Sequence, residues 1–121
     1  INPRNFTFRS REFEQAELEF FCHPSEREEW FEHWLDERLR FHAALGLRAE
    51  NLRTRAHAED ELAHYAVKAI DVEYRFPFGW KELEGVHNRG DFDLGSHAKS
   101  SGENLTVPSN LSKCPLTTEN M

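Results

Sequence analysis

The chain has 121 residues, enough for one modest hydrophobic core, and 10 Phe with 3 Trp supply large apolar side chains for it. A net charge of −7 gives no basic field, so tight nonspecific binding of nucleic acid is not expected. Two cysteines, Cys22 and Cys114, are too few for a disulfide framework or a cysteine metal site. Without a signal peptide or an apolar run of membrane length, we expect a cytoplasmic protein.

The first predicted element is a β-strand that contains Arg9 to Glu17, since the alternation of side chains that supports it extends over residues 6–21. Along it, Arg9, Phe13 and Glu17 recur at four-residue intervals. Because an even spacing keeps strand side chains on one face, these three would form a row of cation, ring and anion. An amino acid activated with ATP carries a phosphate, a planar base and an amine, and would match that row. The alternative is an ordinary solvated strand face, but here the cations come first and the anions last.

A helix is predicted next, because Ser25 and Glu28 have the spacing of a capping box and Gly46 provides a stop. An apolar stripe along this helix is expected to pack in the core rather than to bind a ligand. Its members are Trp30, Phe31, Trp34, Leu35, Leu39, Phe41 and Leu45.

The remaining pattern predicts an α+β fold, an antiparallel β-sheet with flanking helices. In chain order it gives an extended piece over 51–58, a helical turn over 59–65, a strand over 67–76, a turn at 77–79, an antiparallel strand over 81–88 and a helix beginning over 91–97. Residues 98–121 are rich in Ser, Asn and Lys, which predicts a poorly ordered tail.

Three blocks of sequence resemble a known family. The pattern R-x-x-x-F-x-x-x-E from Arg9 to Glu17 resembles the second half of motif 2 of the class II aminoacyl-tRNA synthetases. The longer string from Pro3 to Glu17, and the blocks at 61–77 and 82–94, resemble the dimeric type of glycyl-tRNA synthetase, in the family's order and spacing. The resemblance implies that residues 1–97 are part of a class II catalytic domain, from the second half of motif 2 onward.

The departures from that family matter as well. The arginine and glutamate that open motif 2 would precede Ile1, and motifs 1 and 3 do not occur in the chain. The resemblance therefore implies an internal fragment of the catalytic domain. Such a fragment is expected to be inactive alone, because stabilisation of the transition-state charge needs the missing phosphate ligands.

The resemblance implies ATP-dependent attachment of glycine to tRNA(Gly) through a glycyl-adenylate. The implied partners are ATP, Mg²⁺, glycine and tRNA(Gly), with no membrane and a homodimeric parent enzyme. Two alternatives stay open: a catalytically silent relative that binds a nucleotide or an amino acid, and a structural fragment whose strand face is merely solvated.

The resemblance also implies a set of site residues. The expected catalytic residues are Arg9 and Glu17. The expected ATP-binding residues are Phe8, Arg9, Ser10, Arg11, Glu12, Phe13, Glu82 and Leu83. The expected glycine-binding residues are Phe13, Glu14, Gln15, Ala16, Glu17 and Arg89.

Each implied role suits the chemistry of its side chain. Arg9 would bind the triphosphate through its fixed set of donors, Phe13 would stack on adenine, and Glu17 would receive the glycine ammonium. Without the resemblance, a surface arginine in an ion pair and a core phenylalanine are the alternatives for the first two. Selectivity for glycine would come from steric exclusion of larger amino acids.

Three residues of the second charged block complete the prediction. Glu82 would reach ATP and its Mg²⁺, since Mg²⁺ is commonly held by one or two carboxylates plus phosphate oxygens. Arg89 would lie near the glycine carboxylate. Glu84 lies two positions after Glu82 and would share its face if the segment is a strand. The alternative for all three is an ordinary charged strand on the surface.

Overall fold

The computed structural model describes residues 2–106 of the chain. Its helices and strands are α1 (Arg27–Ala44), β1 (Leu52–Ala56), β2 (Ala66–Phe76), β3 (Gly79–Arg89) and α2 (Phe92–Ser101). Short 3-10 turns lie at Pro24–Glu26, Ala49–Asn51 and Glu59–Glu61. The strands form one antiparallel sheet in the order β1-β2-β3. The predicted α+β class, with an antiparallel sheet and flanking helices, is confirmed.

The predicted first strand, over residues 6–21, is wrong. Residues 10–23 contain no strand or helix, and a bend lies at Arg11 and Glu12. A strand needs a neighbour to complete its hydrogen-bond ladder, and the ladders of the described sheet join only β1 to β2 and β2 to β3. The argument that Arg9, Phe13 and Glu17 share one face therefore does not apply, because it assumed a strand.

The β2–β3 hairpin turns where the sequence predicted. Pro77 and Phe78 form the turn, and Gly79 adopts a φ of +112°, a value that favours glycine. Further along β3 the register shifts: Val72 pairs with Glu84 and Glu73 pairs with Glu82. Leu83 is thus an extra residue, a β-bulge that changes which face the following side chains occupy.

The sheet has two unlike faces. The face that packs on α1, here called the helix face, carries Lys68, Ile70, Val72, Tyr74, Lys81, Glu84, Val86 and Asn88. The opposite face, here called the charged face, carries Arg53, Arg55, Asp71, Glu73, Trp80, Glu82, Gly85 and His87. The cross-strand pairs of the sheet assign each residue to its face.

Helix α1 ends as predicted but begins differently. Gly46, with a φ of +97°, follows its last turn, and the N–H groups of Gly46 and Leu47 donate to the carbonyls of Ala43 and His42. This is a Schellman ending. At the start no capping box forms; instead the N–H of Ser25 donates to His23 Nδ1 at 3.2 Å.

The core of the described residues is small. Phe31, Ala69 and Val72 are its buried apolar side chains. The predicted stripe of α1 is correct for Phe31, but Phe41 and Leu45 are 44% and 65% exposed, so their assignment to the core is wrong. In that last turn the buried residue is His42, which contacts Glu84 of β3.

Helix α2 begins within the predicted 91–97 range and continues to Ser101. The predicted tail starts at residue 98, inside this helix, and a division of the chain at that point stays a prediction. Residues 107–121, which make up most of that tail, lie outside the described residues.

Candidate functional site

A tight turn brings two arginines together near the start of the described chain. Arg4 and Arg9 exchange backbone hydrogen bonds, N to O, of 3.0 and 3.1 Å. Between them Asn5 and Phe6 have φ values of 54° and 55°, which reverse the chain at some conformational cost. The turn fixes the backbones of Arg4 and Arg9 side by side, although they are five positions apart.

Aromatic packing fixes this turn on the end of the β2–β3 hairpin. The ring of Phe8 lies 4.7 Å from that of Phe76 and 5.1 Å from that of Phe78, both edge to face. The Phe76 and Phe78 rings stack at 5.2 Å. Such ring contacts add to the burial of apolar area, so Phe8 anchors the N-terminal segment to the sheet.

A cationic cleft forms where the turn meets β3. It has a volume of about 330 Å³ and is lined by Asn2, Arg4, Asn5, Arg9 and Lys81. No carboxylate lines it, and within residues 2–106 neither arginine nor Lys81 forms an ion pair. The guanidinium of Arg9 also lies 5.1 Å from the centre of the Phe8 ring. Unpaired cations facing one small space make it a site for an anion.

The other residues predicted for ATP in the N-terminal segment follow this turn. Ser10 donates a 2.7 Å hydrogen bond from Oγ to the carbonyl oxygen of Glu12, which closes the bend. Arg11 is exposed. Phe13 is 55% exposed, so its alternative assignment as a core residue does not hold in this structure, and its ring is open to a planar ligand.

The residues predicted for glycine lie exposed in the extended stretch after Phe13. Gln15 Nε2 donates to Glu17 Oε1 at 2.8 Å, which orients one oxygen of that carboxylate and leaves the other unrestrained by it. Glu14 and Ala16 are exposed. The pair of Gln15 and Glu17 is thus the one contact between predicted glycine-binding residues within the described part of the chain.

The bulge at Leu83 separates the two carboxylates of β3. Glu82 is exposed on the charged face. Glu84 lies on the helix face, where its oxygens are 2.6 Å from Arg38 Nε and 2.7 Å from His42 Nε2. The expectation that Glu84 shares the face of Glu82 is wrong, because the extra residue reverses the alternation.

Glu82 and the cationic cleft lie on different faces of β3. Lys81, which lines the cleft, precedes Glu82, and successive strand residues point to opposite faces. A single nucleotide that contacts both Arg9 and Glu82 therefore has to pass around the edge of β3 that faces away from β2. In this structure Arg9 and Glu82 do not share one pocket.

Arg89 is distant from the N-terminal site and already has partners. Its guanidinium stacks 3.9 Å from the centre of the Tyr65 ring and forms an ion pair with Asp93. At a rise of about 3.4 Å per residue, Arg89 lies roughly 20 Å along β3 from Glu82. Within residues 2–106, neither hydrogen bonds nor ion pairs join it to Glu17.

The charged face is internally neutralised, in contrast to the cleft. Arg53 Nε lies 2.7 Å from Glu73 Oε1, and its guanidinium stacks 4.4 Å from the centre of the Trp80 ring. His57 Nε2 lies 2.9 Å from Asp71 Oδ2, although the angle does not satisfy a hydrogen bond. Because Arg53 already faces a carboxylate, it is a poorer anion ligand than the cations of the cleft.

A metal ion held by protein ligands alone does not fit the described residues, which contain no group of three His, Cys, Asp or Glu side chains placed to bind one. A Mg²⁺ ion usually keeps several waters and takes one or two carboxylates plus phosphate oxygens. The single exposed carboxylate of Glu82 fits a Mg²⁺ ion that is also bound by a nucleotide. Neither helix of the described part combines the length and apolar character needed to cross a membrane.

The sequence pattern missed two residues of the cleft. Arg4 lies in the string that resembles the family, but it had no assigned role. Lys81 precedes Glu82 and is part of no motif. The signal available for Lys81 was positional: the predicted 77–79 turn places it near the end of a hairpin, where a docked segment can reach it.

The comparisons with known proteins agree with the motif resemblance. No protein-family model matches the chain. Curated glycine–tRNA ligases do match it: that of Streptomyces coelicolor is 53% identical over 109 residues, that of Clostridium tetani 56% over 106, and that of Alkaliphilus oremlandii 58% over 106. Each alignment covers 88% of this chain and 23–24% of the relative. The chain thus spans about a quarter of the length of these relatives, and over that segment it belongs to the glycine–tRNA ligase family.

Proposed function

We propose that the chain is a segment of a class II ligase catalytic core that attaches glycine to tRNA(Gly) at the expense of ATP. The observation that carries this proposal is the identity of 53–58% to three glycine–tRNA ligases over 88% of the chain. The cationic cleft around Arg9 supports it, because the residue expected at the ATP phosphates lies in a site suited to an anion. Since the chain spans about a quarter of those relatives, the complete activity belongs to a longer protein.

The proposed reaction has two steps. The glycine carboxylate attacks the α-phosphorus of ATP in line and pyrophosphate leaves, which gives glycyl-adenylate. The terminal ribose hydroxyl of tRNA(Gly) then attacks the glycyl carbonyl and AMP leaves. No protein side chain becomes covalently attached, so the protein acts by positioning and by electrostatic stabilisation.

Three side chains of the N-terminal segment, one half-buried and two exposed, divide the ligand between them. Arg9 binds phosphate oxygens with more than one donor at once, and Phe13 offers its ring to the adenine. Glu17 receives the glycine ammonium, with Gln15 holding one of its oxygens. Glu82 contributes a carboxylate to the Mg²⁺ that accompanies the nucleotide, while Arg89 is assigned to the glycine carboxylate and has to leave Asp93 to serve it.

The proposed cellular compartment and oligomeric state rest on the same resemblance. We place the longer protein in the cytoplasm, as a homodimer, with its tRNA held mainly by parts outside this chain. The net charge of −7 agrees with that division, because the segment itself offers no broad basic surface to a polyanion.

Glycine-dependent exchange of pyrophosphate into ATP, measured with a full-length ligase that carries this segment, tests the proposal. Glu17→Ala is expected to abolish the exchange, because the ammonium loses its counter-charge. Glu19→Ala is the matched control: it removes the same charge two residues away and is expected to leave most of the exchange intact. Equal and small effects of both substitutions would contradict the amine site.

A further inference from the structure

Within residues 2–106, Arg4 and Lys81 line the same cleft as Arg9, and none of the three has an ion-pair partner. Lys81 is half-buried on the helix face of β3, opposite Tyr74. It points into the cleft that Arg4 and Arg9 line, and no carboxylate lines that cleft. By contrast, Arg38, Arg53, Arg55 and Arg89 each face an acidic partner.

The arrangement is costly without an anion. Like charges that face one small space repel one another, and the repulsion grows where solvent is partly excluded. The chain carries an excess of acidic residues, yet the cleft contains none of them. An anion with several negative oxygens would remove the repulsion and satisfy all three cations together.

The cations are held in place before any ligand arrives. The backbone of Arg4 is fixed by its two hydrogen bonds to Arg9, and Lys81 belongs to the β2–β3 ladder. Phe8 fastens the turn to Phe76 and Phe78. Binding therefore has to order the side chains of these residues but not their backbones, which favours affinity.

We propose that Arg4 and Lys81 act together with Arg9 as binding residues for a linear chain of phosphate groups. The volume of about 330 Å³ is at the lower end of the range for small-molecule sites and suits phosphate groups without the base. The amides of Asn2 and Asn5 add neutral donors at its wall. The assignment of this phosphate chain to ATP or to released pyrophosphate rests on the proposed function; the binding of polyphosphate itself does not.

A small polyphosphate fits the cleft better than the backbone of RNA. An RNA backbone gains affinity from many cations spread along a surface, whereas this chain has a net charge of −7 and the cleft brings three unpaired cations to one small space. The phosphates of a small molecule can instead converge on three cations at once.

Calorimetric titration of the full 121-residue chain with inorganic tripolyphosphate tests the inference, and ATP and adenosine serve as further ligands. Lys81→Gln and Arg4→Gln are each expected to weaken tripolyphosphate and ATP about tenfold, the loss of one charge-assisted contact. Lys81→Arg should restore most of that affinity. Adenosine should bind equally to all variants, since it has no phosphate.

Lys99→Gln is the matched control, because it removes the same charge from an exposed site on α2. It is expected to leave tripolyphosphate binding within about twofold, apart from weak long-range electrostatics that salt screens. Amide spectra of each variant confirm that the sheet is intact. Equal losses in Lys81→Gln and Lys99→Gln, or no binding of tripolyphosphate to the unsubstituted chain, would overturn the proposal.

Two further results separate the inference from the proposed function. If a short single-stranded RNA binds the cleft and tripolyphosphate does not displace it, the inference fails in favour of a nucleic-acid site. If binding of tripolyphosphate depends on Lys81 but the full-length ligase shows no glycine-dependent exchange, the polyphosphate site is supported and the proposed function fails. If exchange is normal and Lys81→Gln leaves the KM for ATP unchanged, the inference fails and the function stands.

Discussion

The described chain divides into two regions that differ in the contacts that stabilise them. From α1 to α2, backbone ladders, a packed helix and ion pairs such as that of Arg38 with Glu84 define the structure. From residue 2 to residue 23, one short bridge and a few ring contacts do so, including that of Phe20 with Trp30 at 4.7 Å. The first region carries the fold, and the second carries most of the predicted site.

This difference has a physical reason. A ligand-binding side chain needs exposure and open hydrogen-bonding capacity, which the interior of a ladder does not provide. Phe13 and Glu17 have that exposure because the segment that carries them lacks a sheet partner among residues 2–106. The function of the segment therefore depends on how firmly the second region is fastened to the first.

The largest expected effect distinguishes the two regions by stability. Phe31 of α1 is 5% exposed. Phe31→Ala is expected to lower the free energy of unfolding by about 3–5 kcal/mol, because it leaves a cavity in a small core. Phe13→Ala makes the same chemical change at an exposed site and should alter it by no more than about 0.5 kcal/mol. Urea denaturation measures both, and similar losses would show that the two regions are not held differently.

A second effect tests the bulge within the fold region. Glu84→Ala leaves Arg38 and the buried His42 without their shared acceptor, so we expect a loss of about 1–3 kcal/mol. Glu82→Ala, on the opposite face and exposed, should change the stability by no more than about 0.5 kcal/mol. Thermal and urea denaturation of both variants check the ranking. A reversed ranking would mean that the register of β3 is wrong.

Agreement between the sequence pattern and the structure follows the same division. The ending of α1 at Gly46 and the β2–β3 turn at Pro77 were predictable, because their signals are local backbone preferences. The strand predicted over residues 6–21 did not form, since an alternating pattern is a local signal whereas a strand needs a hydrogen-bonded partner elsewhere in the chain. The bulge at Leu83 reversed the expected face of Glu84. It could not be predicted, because a bulge at this position has no compositional signal.

The candidate site was predictable only in part for the same reason. Arg9, Phe13 and Glu17 were predicted from a motif, and the structure leaves them half-buried or exposed, as binding side chains need to be. Lys81 was missed, because its relation to Arg9 exists only after the N-terminal turn docks on the hairpin. Clusters made by tertiary contact are not visible as a spacing along the chain.

A third prediction concerns that docking. Phe8→Ala removes two ring contacts, each worth about 0.5–1.5 kcal/mol, and should free the turn from the hairpin. Hydrogen exchange of the Arg9 amide, which donates to the Arg4 carbonyl, is expected to become about tenfold faster. Phe6→Ala is the control at a ring that is 94% exposed, and it should leave that exchange unchanged. An unchanged rate in Phe8→Ala would contradict the anchoring role.

The smallest predicted effect runs in the opposite direction. Phe6 has a φ of 55°, which costs an L-residue about 1 kcal/mol, so Phe6→Gly should stabilise the turn by a similar amount. We expect exchange of the Arg9 amide to slow by about fivefold. Thr7→Gly, at a residue without a positive φ, gains no such relief and should leave the exchange unchanged or make it faster. Faster exchange in Phe6→Gly would rule out the strained turn.

Hydrogen exchange of the full chain with and without saturating ATP tests most directly whether the weakly fastened region is the one that binds the nucleotide. We predict that ATP protects amides of residues 4–13 and those around Lys81, while the already protected ladder of β1 and β2 changes little. Protection confined to the charged face near Arg53 and Arg55, with residues 4–13 unaffected, would contradict the account.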